Sequence, residues 1–567
     1  MNTNTINGAN ILLESLARLG VDTIFGYPGG SVIPIYDAIY DFKKIHHYFA
    51  RHEQGAAHEA DGYARATGKV GVCLATSGPG ATNLVTGIMT SHMDSIPLLA
   101  ITGQVTSSLL GKDAFQESDI VGITIPITKM NYLVKDIKDL PITIKEAYYI
   151  ASTGRPGPVL IDIPKDIQVE TITVDEFEEF FAREMDIEGY VPNYKGHPGQ
   201  IKKAVGMINE AKRPLIISGA GVIKSQACDE LRVLAESMDI PVTSTMLGLG
   251  GFPSDHELSL DMLGMHGTVA ANFATEHADL IIAAGMRFDD RIAGNPEKFC
   301  KAANIIHIDI DPAEIEKNKC IEIPIVGDLK IVLSEFNKKV NPKKNPEWVA
   351  QISEWKREYP MVYIKSSEML MPQEVLEYVD NIVKGEAIVA TDVGQHQMWA
   401  AQFIRFNHPK TMLTSGGSGT MGFGLPAAIG AQVGNRDKRV LAVVGDGGFQ
   451  MTYQELMMLK QYNLPIKIIL LNNSYLGMVR QWQEMFFDRR YSSVELDINP
   501  DFEKIGEAYG IDTVTINTRE ELEGLDELIK NDKPVIINCI VEREANVFPM
   551  IPSGESVENM MGMRGVL

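Results

Sequence analysis

Short apolar runs rich in β-branched residues alternate with amphipathic stretches almost from one end of the chain to the other. Runs such as Val70–Ala75, Leu215–Ser218 and Val440–Val444 have the length of buried strands, and each is followed by a glycine-rich turn. This alternation is typical of α/β proteins built from doubly wound parallel sheets. In such sheets ligands bind beyond the carboxyl ends of the strands, so the glycine-rich turns are where a functional site is expected.

Two stretches without periodicity divide the chain into three α/β domains. Residues 186–199 and 341–370 carry Gly, Pro, Asn and charged residues, and they are predicted to be linkers. The last residues are rich in Met, Gly and Ser and are predicted to form a flexible tail or lid. The remaining predicted units are an N-terminal domain (1–185), a central domain (200–340), a C-terminal domain (371–548) and the tail (549–567).

Composition and charge exclude several classes of function. The chain has 567 residues, and 52 Lys and Arg against 74 Asp and Glu give a net charge of −22, which disfavours nucleic-acid binding. The five cysteines are scattered and form no C-x-x-C pair, so neither a disulfide scaffold nor a zinc site is expected. The N-terminus lacks a targeting profile and no apolar run is long enough to cross a membrane. We therefore expect a reduced, cytoplasmic protein.

The strongest chemical motif consists of an acid and an amide at the ends of two predicted neighbouring strands. Asp446 follows the run Val440–Val444 within a Gly-Asp-Gly-Gly turn, and Asn473 ends the next buried run, 27 residues later. This interval is one β-α-β crossover, which brings the two side chains to the same edge of the sheet. Carboxylate and amide oxygens suit Mg²⁺. A purely structural role in a tight turn explains either the Asp or the Asn alone, but it does not explain both residues at this spacing.

A second glycine motif supports a different hypothesis for the function, dinucleotide binding. Residues 417–422 fit G-x-G-x-x-G and precede the helix-like Leu425–Val433. As a dinucleotide fingerprint the motif is weak, since no acid follows a second strand at the expected distance. An NAD(P)-dependent dehydrogenase therefore stays open as an alternative function, and a non-catalytic binding or regulatory protein is a further one.

The third motif is a predicted helix of small residues that begins near Glu53. Its small side chains allow close packing against another element or a ligand, so Glu53 is expected to be buried. A buried carboxylate can share a proton with a ring nitrogen. The H-E-x-x-H zinc motif is excluded because Ala56 stands where the second His is required.

Together these motifs closely resemble those of the thiamin-diphosphate (ThDP) enzymes. The resemblance implies that Asp446, Asn473 and the carbonyl of Tyr475 bind Mg²⁺, and that Glu53 contacts the pyrimidine ring and promotes proton removal from C2 of the cofactor. It also implies that the bulky Met421 bends the cofactor into a V. The residues that it assigns to ThDP contacts are Gln395, His396, Gly419, Met421, Gly445, Gly447, Gly448 and Met478.

Glu53 and the magnesium motif lie in different domains. In ThDP enzymes the pyrimidine-binding domain of one subunit faces the diphosphate-binding domain of its partner. The resemblance therefore implies a homodimer as the smallest active unit, or a dimer of dimers.

Further segments resemble the acetohydroxyacid (acetolactate) synthase family in particular. The run Arg287-Phe-Asp-Asp-Arg291 and the segments around Met265 and Asp309 are similar to the parts of the biosynthetic enzymes that bind FAD. The FAD-free catabolic enzymes lack that run. The residues that the resemblance assigns to FAD are Arg155, Gly219, Gly221, Met265, His266, Gly285, Arg287, Asp290, Arg291, Asp309 and Asp328.

The same resemblance assigns the residues that handle the substrate. Gly30, Gln116 and Lys165 join Glu53 as catalytic residues, whereas Phe115, Arg287 and Trp482 contact the substrate. Arg287 pairs with the carboxylate of the acceptor, a role that suits the planar guanidinium. The bulk of Trp482 favours 2-ketobutyrate over pyruvate as the acceptor.

The resemblance implies that the protein decarboxylates pyruvate on ThDP and transfers the two-carbon unit to a second 2-keto acid. The products are 2-acetolactate or 2-aceto-2-hydroxybutyrate, in the first common step of valine, leucine and isoleucine biosynthesis. FAD has no net redox role in this reaction, and a small regulatory subunit is an expected partner. An FAD-free acetolactate synthase and a pyruvate oxidase-like enzyme are the alternatives within the ThDP enzymes.

Overall fold

Each domain contains one six-stranded parallel sheet, as the alternating apolar runs predict. In this computed structural model, which describes residues 4–564, the three sheets follow one another along the chain without exchanging strands. Helices cover both faces of every sheet, which explains why the strands are apolar on both sides. The predicted fold class, three doubly wound α/β domains, is confirmed.

The N-terminal domain has strand order β3-β2-β4-β5-β7-β6, with a small antiparallel pair β1-β8 beside it. Its strands are β1 (Thr5–Asn7), β2 (Thr23–Gly26), β3 (His46–Phe49), β4 (Gly71–Ala75), β5 (Leu98–Gln104), β6 (Met130–Leu133), β7 (Pro158–Pro164) and β8 (Thr171–Thr173). Its helices are α1 (Gly8–Arg18), α2 (Ile33–Asp41), α3 (Glu53–Thr67), α4 (Pro79–Asn83), α5 (Val85–Met93), α6 (Ile120–Thr124), α7 (Leu140–Ser152), α8 (Lys165–Val169) and α9 (Val174–Ala182).

The central domain has strand order β11-β10-β9-β12-β13-β14. Its strands are β9 (Pro214–Ser218), β10 (Val242–Ser244), β11 (Ser259–Met262), β12 (Leu280–Ala284), β13 (Asn304–Asp309) and β14 (Ile323–Val326). Its helices are α10 (Pro198–Glu210), α11 (Ala220–Lys224), α12 (Cys228–Met238), α13 (Val269–His277), α14 (Asp290–Ala293), α15 (Leu329–Asn337) and α16 (Pro346–Glu358).

The C-terminal domain has strand order β16-β15-β17-β18-β20-β19. Its strands are β15 (Ile388–Thr391), β16 (Met412–Leu413), β17 (Val440–Gly445), β18 (Lys467–Asn472), β19 (Asp512–Ile516) and β20 (Val535–Ile540). Its helices are α17 (Pro372–Val383), α18 (Gln395–Phe403), α19 (Gly424–Gly434), α20 (Asp446–Thr452), α21 (Leu456–Tyr462), α22 (Gly477–Phe486), α23 (Phe502–Tyr509), α24 (Arg519–Glu523) and α25 (Asp526–Lys530).

The stretch 341–370 differs from the predicted linker because it contains α16. Trp348 and Ile352 are buried on one side of this helix, and the indole of Trp348 donates a 3.0 Å hydrogen bond to the carbonyl of Pro214. Trp355 stacks edge-on against Trp348 at 5.7 Å between ring centroids. Apolar residues at positions i, i+4 and i+7 therefore attach α16 to the central domain.

Helices α3 and α19 join the N-terminal and C-terminal domains by direct backbone contact. A side chain at Gly62 would overlap the backbone of Ala427, and one at Gly430 would overlap the carbonyl of Glu59. Both positions therefore require glycine. This packing confirms that the small residues of α3 serve close approach to another element.

The tail, predicted to be flexible or a lid, packs on the central domain over its described part. Ile551 donates a 2.8 Å backbone hydrogen bond to Met265, and Ile551 and Met560 form a small apolar cluster with Val269. Within residues 4–564, no helix combines the length and the apolar character needed to cross a bilayer.

Candidate active site

The structure brings Asp446 and Asn473 to one edge of the C-terminal sheet. Asp446 begins α20 directly after β17, and Asn473 directly follows β18. These strands are parallel neighbours, and Gly445 is paired with Leu471. The crossover inferred from the sequence spacing is therefore present.

Asp446 is a buried carboxylate among neutral groups. Only 1% of the residue is exposed, and its Oδ2 accepts a 2.7 Å hydrogen bond from the side-chain amide of Asn499. Burial raises the pKa of Asp446 to about 6. A cation bound here would stabilise the ionised carboxylate.

Asn473 connects this edge of the sheet to the turn that follows β15. Its side-chain amide donates to Oε1 of Gln395 at 3.4 Å, and its Oδ1 accepts from the backbone N–H of Tyr475 at 3.1 Å. Gln395 also donates to Gln481 and to the carbonyl of Ala545, at 2.8 Å each. The amide group of Gln395 is thus held within the protein.

The glycines of this edge pack tightly against the neighbouring turn. A side chain at Gly448 would lie 2.7 Å from the carboxylate of Asp392, and one at Gly445 would lie 2.9 Å from the His396 ring. A side chain at Gly447 would lie 2.5 Å from Leu476. Larger residues at these positions would separate the two turns.

His396 and Asp392 are buried polar groups at the same place. His396 Nε2 has no hydrogen-bond partner among the described residues, and burial lowers the pKa of His396 to about 4, so the ring is neutral. The Asp392 carboxylate accepts from the N–H of Gly422 at 2.9 Å, and burial raises the pKa of Asp392 to about 6.

The glycine segment 415–422, which we term the glycine loop, runs between β16 and α19. Gly419 has a φ of +63°, which favours glycine. Gly419 and Met421 line a cavity of about 620 Å³. The segment therefore faces a space large enough for a ligand.

Glu53 is the first residue of α3 and is 9% exposed. Its Oε2 accepts a 3.0 Å hydrogen bond from the side-chain amide of Asn83. A side chain at Gly80 would lie 3.1 Å from its Oε1. Glu53 is buried as expected, beside α4.

The other predicted N-terminal residues lie around the carboxyl ends of the same sheet. The turn at Gly78 packs against Gln116, which has a φ of +59°. Phe115 is 89% exposed, Gly30 has open space around it, and Lys165 begins α8 directly after β7. Within the described chain, none of these residues and no atom of Glu53 lines the cavity that Met421 faces.

That cavity, of about 620 Å³, lies where the three domains meet. Its volume is in the range of cofactor sites. Its walls contain most of the residues predicted to contact FAD or the substrate, together with part of the ThDP set. These are Arg155, Gly221, Met265, His266, Gly285, Arg287, Arg291, Asp309, Asp328, Gly419, Met421, Met478 and Trp482.

The central-domain wall is built from closely packed glycines and a buried acid. A side chain at Gly219 would overlap the carbonyl of Gly285, and Gly221 donates a 3.0 Å backbone hydrogen bond to that carbonyl. Asp309 ends β13, and burial raises its pKa to about 6. The glycines therefore let the turns after β9 and β12 pack against each other beside an acid, at the strand ends where dinucleotides bind in folds of this class.

Of two adjacent acids, the structure turns Asp289 and not Asp290 toward the cavity. The Asp289 side chain caps α14 by accepting from the N–H of Arg291 and of Ile292. The side chain of Asp290 is 71% exposed and lies 3.7 Å from Arg291. The prediction of a cofactor contact at Asp290 therefore lacks support from this geometry.

Two charged wall residues are held by their own partners. Arg155 donates to Glu314 at 2.6 Å and to Asp311 at 3.1 Å, and the Asp328 side chain caps α15. His266 lies 3.3 Å from the carbonyl of Pro549, and burial lowers its pKa to about 4.

Trp482 and Met478 line the cavity from α22. The Trp482 ring packs against Phe486 with 5.2 Å between centroids. An indole and a thioether at this wall restrict the room beside Arg287.

Three residues at or beside the site were not predicted from sequence motifs: Asn499, Asp94 and Lys224. Asn499 lies in an irregular segment, so no periodic pattern marks it. Lys224 faces the cavity, and burial lowers its pKa to about 7. The glycine turn before Lys224 was the one pattern that could have directed attention to it.

Three family models match successive parts of the chain, and together they define a ThDP-dependent enzyme. They are the N-terminal TPP binding domain (residues 6–123), the central domain (201–336) and the C-terminal TPP binding domain (392–539) of thiamine pyrophosphate enzymes. Thiamine pyrophosphate is ThDP by another name.

Relatives that match over nearly the whole chain show which family of ThDP-dependent enzymes this is. The chain is 47% identical over 559 residues to the acetolactate synthase large subunit of Lactococcus lactis subsp. lactis, covering 98% of this chain and 96% of the relative. It is 48% identical over 574 residues to that of Corynebacterium glutamicum, covering 99% and 91%. It is 46% identical over 564 residues to that of Buchnera aphidicola, covering 98% of each. The chain belongs to the acetolactate synthase large-subunit family.

Proposed function

We propose that this chain is the catalytic subunit of a biosynthetic acetolactate synthase that uses ThDP, Mg²⁺ and FAD. It takes pyruvate as the donor and a second 2-keto acid, pyruvate or 2-ketobutyrate, as the acceptor. The observation that carries the proposal is the cavity between the domains. Met421, Arg287 and Trp482 line this cavity together with the glycine turns of the central domain.

The C-terminal edge fits a metal-bound diphosphate. Asp446 supplies a buried carboxylate that forms no ion pair within residues 4–564, and Asn473 adds an amide directly after the adjacent strand. The unpartnered Nε2 of His396 is a further polar atom for an anionic ligand. Asp446, Asn473 and the carbonyl of Tyr475 would hold Mg²⁺, with the diphosphate of ThDP beside the glycines. When bound, ThDP supplies the nucleophilic carbon and the electron sink for decarboxylation.

The residues of this chain orient the reactants and control protons. Glu53 would hold a proton facing a ring nitrogen of the cofactor, with Asn83 fixing its carboxylate. Arg287 would bind the acceptor carboxylate, while Trp482 limits the space for its alkyl group. Apolar walls from Met421 and Met478 exclude water.

The separation of Glu53 from the cavity supports a homodimer as the active unit. In the described chain Glu53 lies beside α4 and not among the cavity residues. A partner subunit would bring its own Glu53 to this chain's diphosphate edge. A dimer of dimers, a small regulatory subunit and a cytoplasmic location complete the proposal.

The FAD proposal depends on the central domain. Gly221 and Gly285 line the cavity with backbone alone, and Asp309, which also lines it at the end of β13, would be a partner for ribose hydroxyls.

Product identification tests the proposed function. Purified protein would be incubated with pyruvate, with and without each of ThDP, Mg²⁺ and FAD, and the product identified by NMR. We expect 2-acetolactate only with ThDP and Mg²⁺, faster with FAD and without oxygen uptake. Activity independent of FAD would indicate the catabolic type, and oxygen consumption a pyruvate oxidase-like enzyme. Nicotinamide-dependent turnover would contradict the proposal.

A further inference from the structure

Asp94, directly after α5 in the N-terminal domain, binds the glycine loop of the C-terminal domain. It is 3% exposed, and both of its carboxylate oxygens accept backbone hydrogen bonds from that loop. Gly417 N–H donates to Oδ1 at 2.7 Å, and Gly416 N–H donates to Oδ2 at 3.0 Å. Hydrogen bonds to a carboxylate are about twice as strong as those between neutral groups.

The Asp94 carboxylate is itself fixed by a buried ion network. Arg65 Nη2 donates to Asp94 Oδ2 at 2.9 Å, and Arg65 Nε donates to Asp61. Arg65 also donates to the carbonyl of Thr414, at the start of the loop, at 2.9 Å. The two carboxylates keep the pKa of Arg65 above its ordinary value, so the guanidinium stays charged.

Asp94 also contacts the third domain. The ammonium of Lys224, at the end of α11, donates to the main-chain carbonyl of Asp94. One residue of the N-terminal domain thus contacts both other domains beside the cavity. Lys224 and Gly417 also face that cavity.

The part of the loop that faces the cavity lies between fixed points. Asp94 holds Gly416 and Gly417, the hydroxyls of Thr90 and Thr420 lie 2.7 Å apart, and Asp392 holds Gly422. Gly419 and Met421 are the residues between these points that line the cavity. Asp94 is therefore one of the three side chains that fix the segment carrying Met421.

We propose that Asp94 is a positioning residue of the cofactor site, which holds the glycine loop so that Met421 meets bound ThDP in its reactive shape. The inference rests on the proposed function. Misplacement by about 1 Å can cost on the order of 10² in rate, so a small movement of the loop has a measurable effect.

The test compares Asp94→Asn with wild type. The carboxamide keeps the shape but presents an NH₂ group to donors, so either the contact to Gly417 at Oδ1 or the contacts to Gly416 and Arg65 at Oδ2 are lost. Deuterium exchange at C2 of bound ThDP, read by NMR after acid quench, reports cofactor geometry without turnover. We expect exchange to slow on the order of 10². ThDP affinity at fixed Mg²⁺ would change far less.

Asp61→Asn is the matched control. Asp61 binds the same Arg65 and also accepts from Ser91 at 2.7 Å, but it does not contact the glycine loop. We expect exchange at the wild-type rate in this variant. Equal slowing in Asp61→Asn would overturn the proposal, because Asp94 would then act only through the ion network.

A second variant covers the case in which Asp94→Asn does not fold. In Gly417→Ala the new methyl group would lie 3.0 Å from Asp94 Oδ1, so the loop and the Asp94 carboxylate would have to move apart by a few tenths of an ångström. We expect slower exchange here too, and an unchanged rate would overturn the proposal. If exchange is rapid both in wild type and in Asp94→Asn, the role of Asp94 is rejected but the proposed function is not. Absence of accelerated exchange in wild type rejects the proposed function as well.

Discussion

The side-chain amide of Asn499 donates a 2.7 Å hydrogen bond to the carboxylate of Asp446. It also donates to Oδ1 of Asn472 at 3.3 Å, and its own Oδ1 accepts from Gln450 at 2.9 Å. Asn499 therefore orients the carboxylate proposed to bind Mg²⁺. Partners of this kind fix the direction of a ligand's lone pairs.

Asn499→Leu is expected to weaken Mg²⁺-dependent ThDP binding. Loss of an outer partner of a metal ligand usually costs about 10–100-fold in metal affinity. A titration of Mg²⁺ at saturating ThDP, followed by fluorescence, measures the effect. Asn407→Leu is the control, since Asn407 makes a comparable 2.6 Å bond to exposed Asp255. Equal Mg²⁺ affinity in wild type and Asn499→Leu would contradict the role of Asn499.

Glu53→Gln is expected to slow C2 exchange of bound ThDP, because the amide cannot hold the proton that Glu53 shares with the ring. General acid–base groups contribute typically 10²–10⁴-fold, and a loss in about that range is expected. Asn83 still has an oxygen to donate to, so the fold should remain intact. Glu176→Gln, at the start of α9, is the control for a glutamate in the first turn of a helix. Unchanged exchange would remove Glu53 from the proton relay.

The sheets and the Asp446–Asn473 pair could be predicted because their determinants are local. Strand, turn and helix follow one another within one crossover, so the sequence spacing fixes which ends meet. The strand bounds in the structure differ from the predicted ones by a residue or two. For example, the predicted strand Val440–Val444 is observed as Val440–Gly445.

The remaining features depend on contacts between distant parts of the chain. Asn499 reaches Asp446 from an irregular segment, and Asp94 reaches a loop that is 322 residues away. Which of Asp289 and Asp290 faces the cavity is decided by the cap of α14. Helix α16 was missed because the proline and charged residues around it resemble a linker, while its indoles find their partners only in the folded domain.

Trp482→Leu is expected to shift the product ratio toward 2-acetolactate when pyruvate and 2-ketobutyrate compete as acceptors. A smaller side chain removes the contact that favours the longer alkyl group, and one methylene is worth about 10–200-fold in discrimination at most. The ratio of the two products, measured by NMR, gives the effect. Phe486→Leu is the control, since Phe486 packs on Trp482 but does not line the cavity. An unaltered ratio would exclude Trp482 from acceptor choice.

The last prediction concerns two carboxyl groups buried between α3 and the turn before α21. Glu59 and Glu455 are both fully buried, and Glu455 accepts a 2.9 Å hydrogen bond from the N–H of Arg51. Burial and the charge of Glu455 raise the pKa of Glu59, and burial raises the pKa of Glu455 to about 7. The folded protein therefore binds protons here that the unfolded chain releases near pH 4.5.

Because the pKa of Glu455 is higher in the folded protein than in the unfolded chain, proton binding to Glu455 stabilises the fold. This stabilisation is complete below pH 4.5 and is lost as the pH rises toward 7. Glu455→Gln replaces the ionisable group with a neutral one of the same shape. We expect its thermal midpoint to fall less than that of wild type between pH 5 and pH 8, because wild type loses on the order of 2 kcal/mol more of its free energy of unfolding over that range. Scanning fluorimetry at a series of pH values measures the difference. Glu368→Gln controls for loss of an exposed carboxylate, and parallel pH profiles for wild type and Glu455→Gln would contradict the raised pKa of Glu455 in the folded protein.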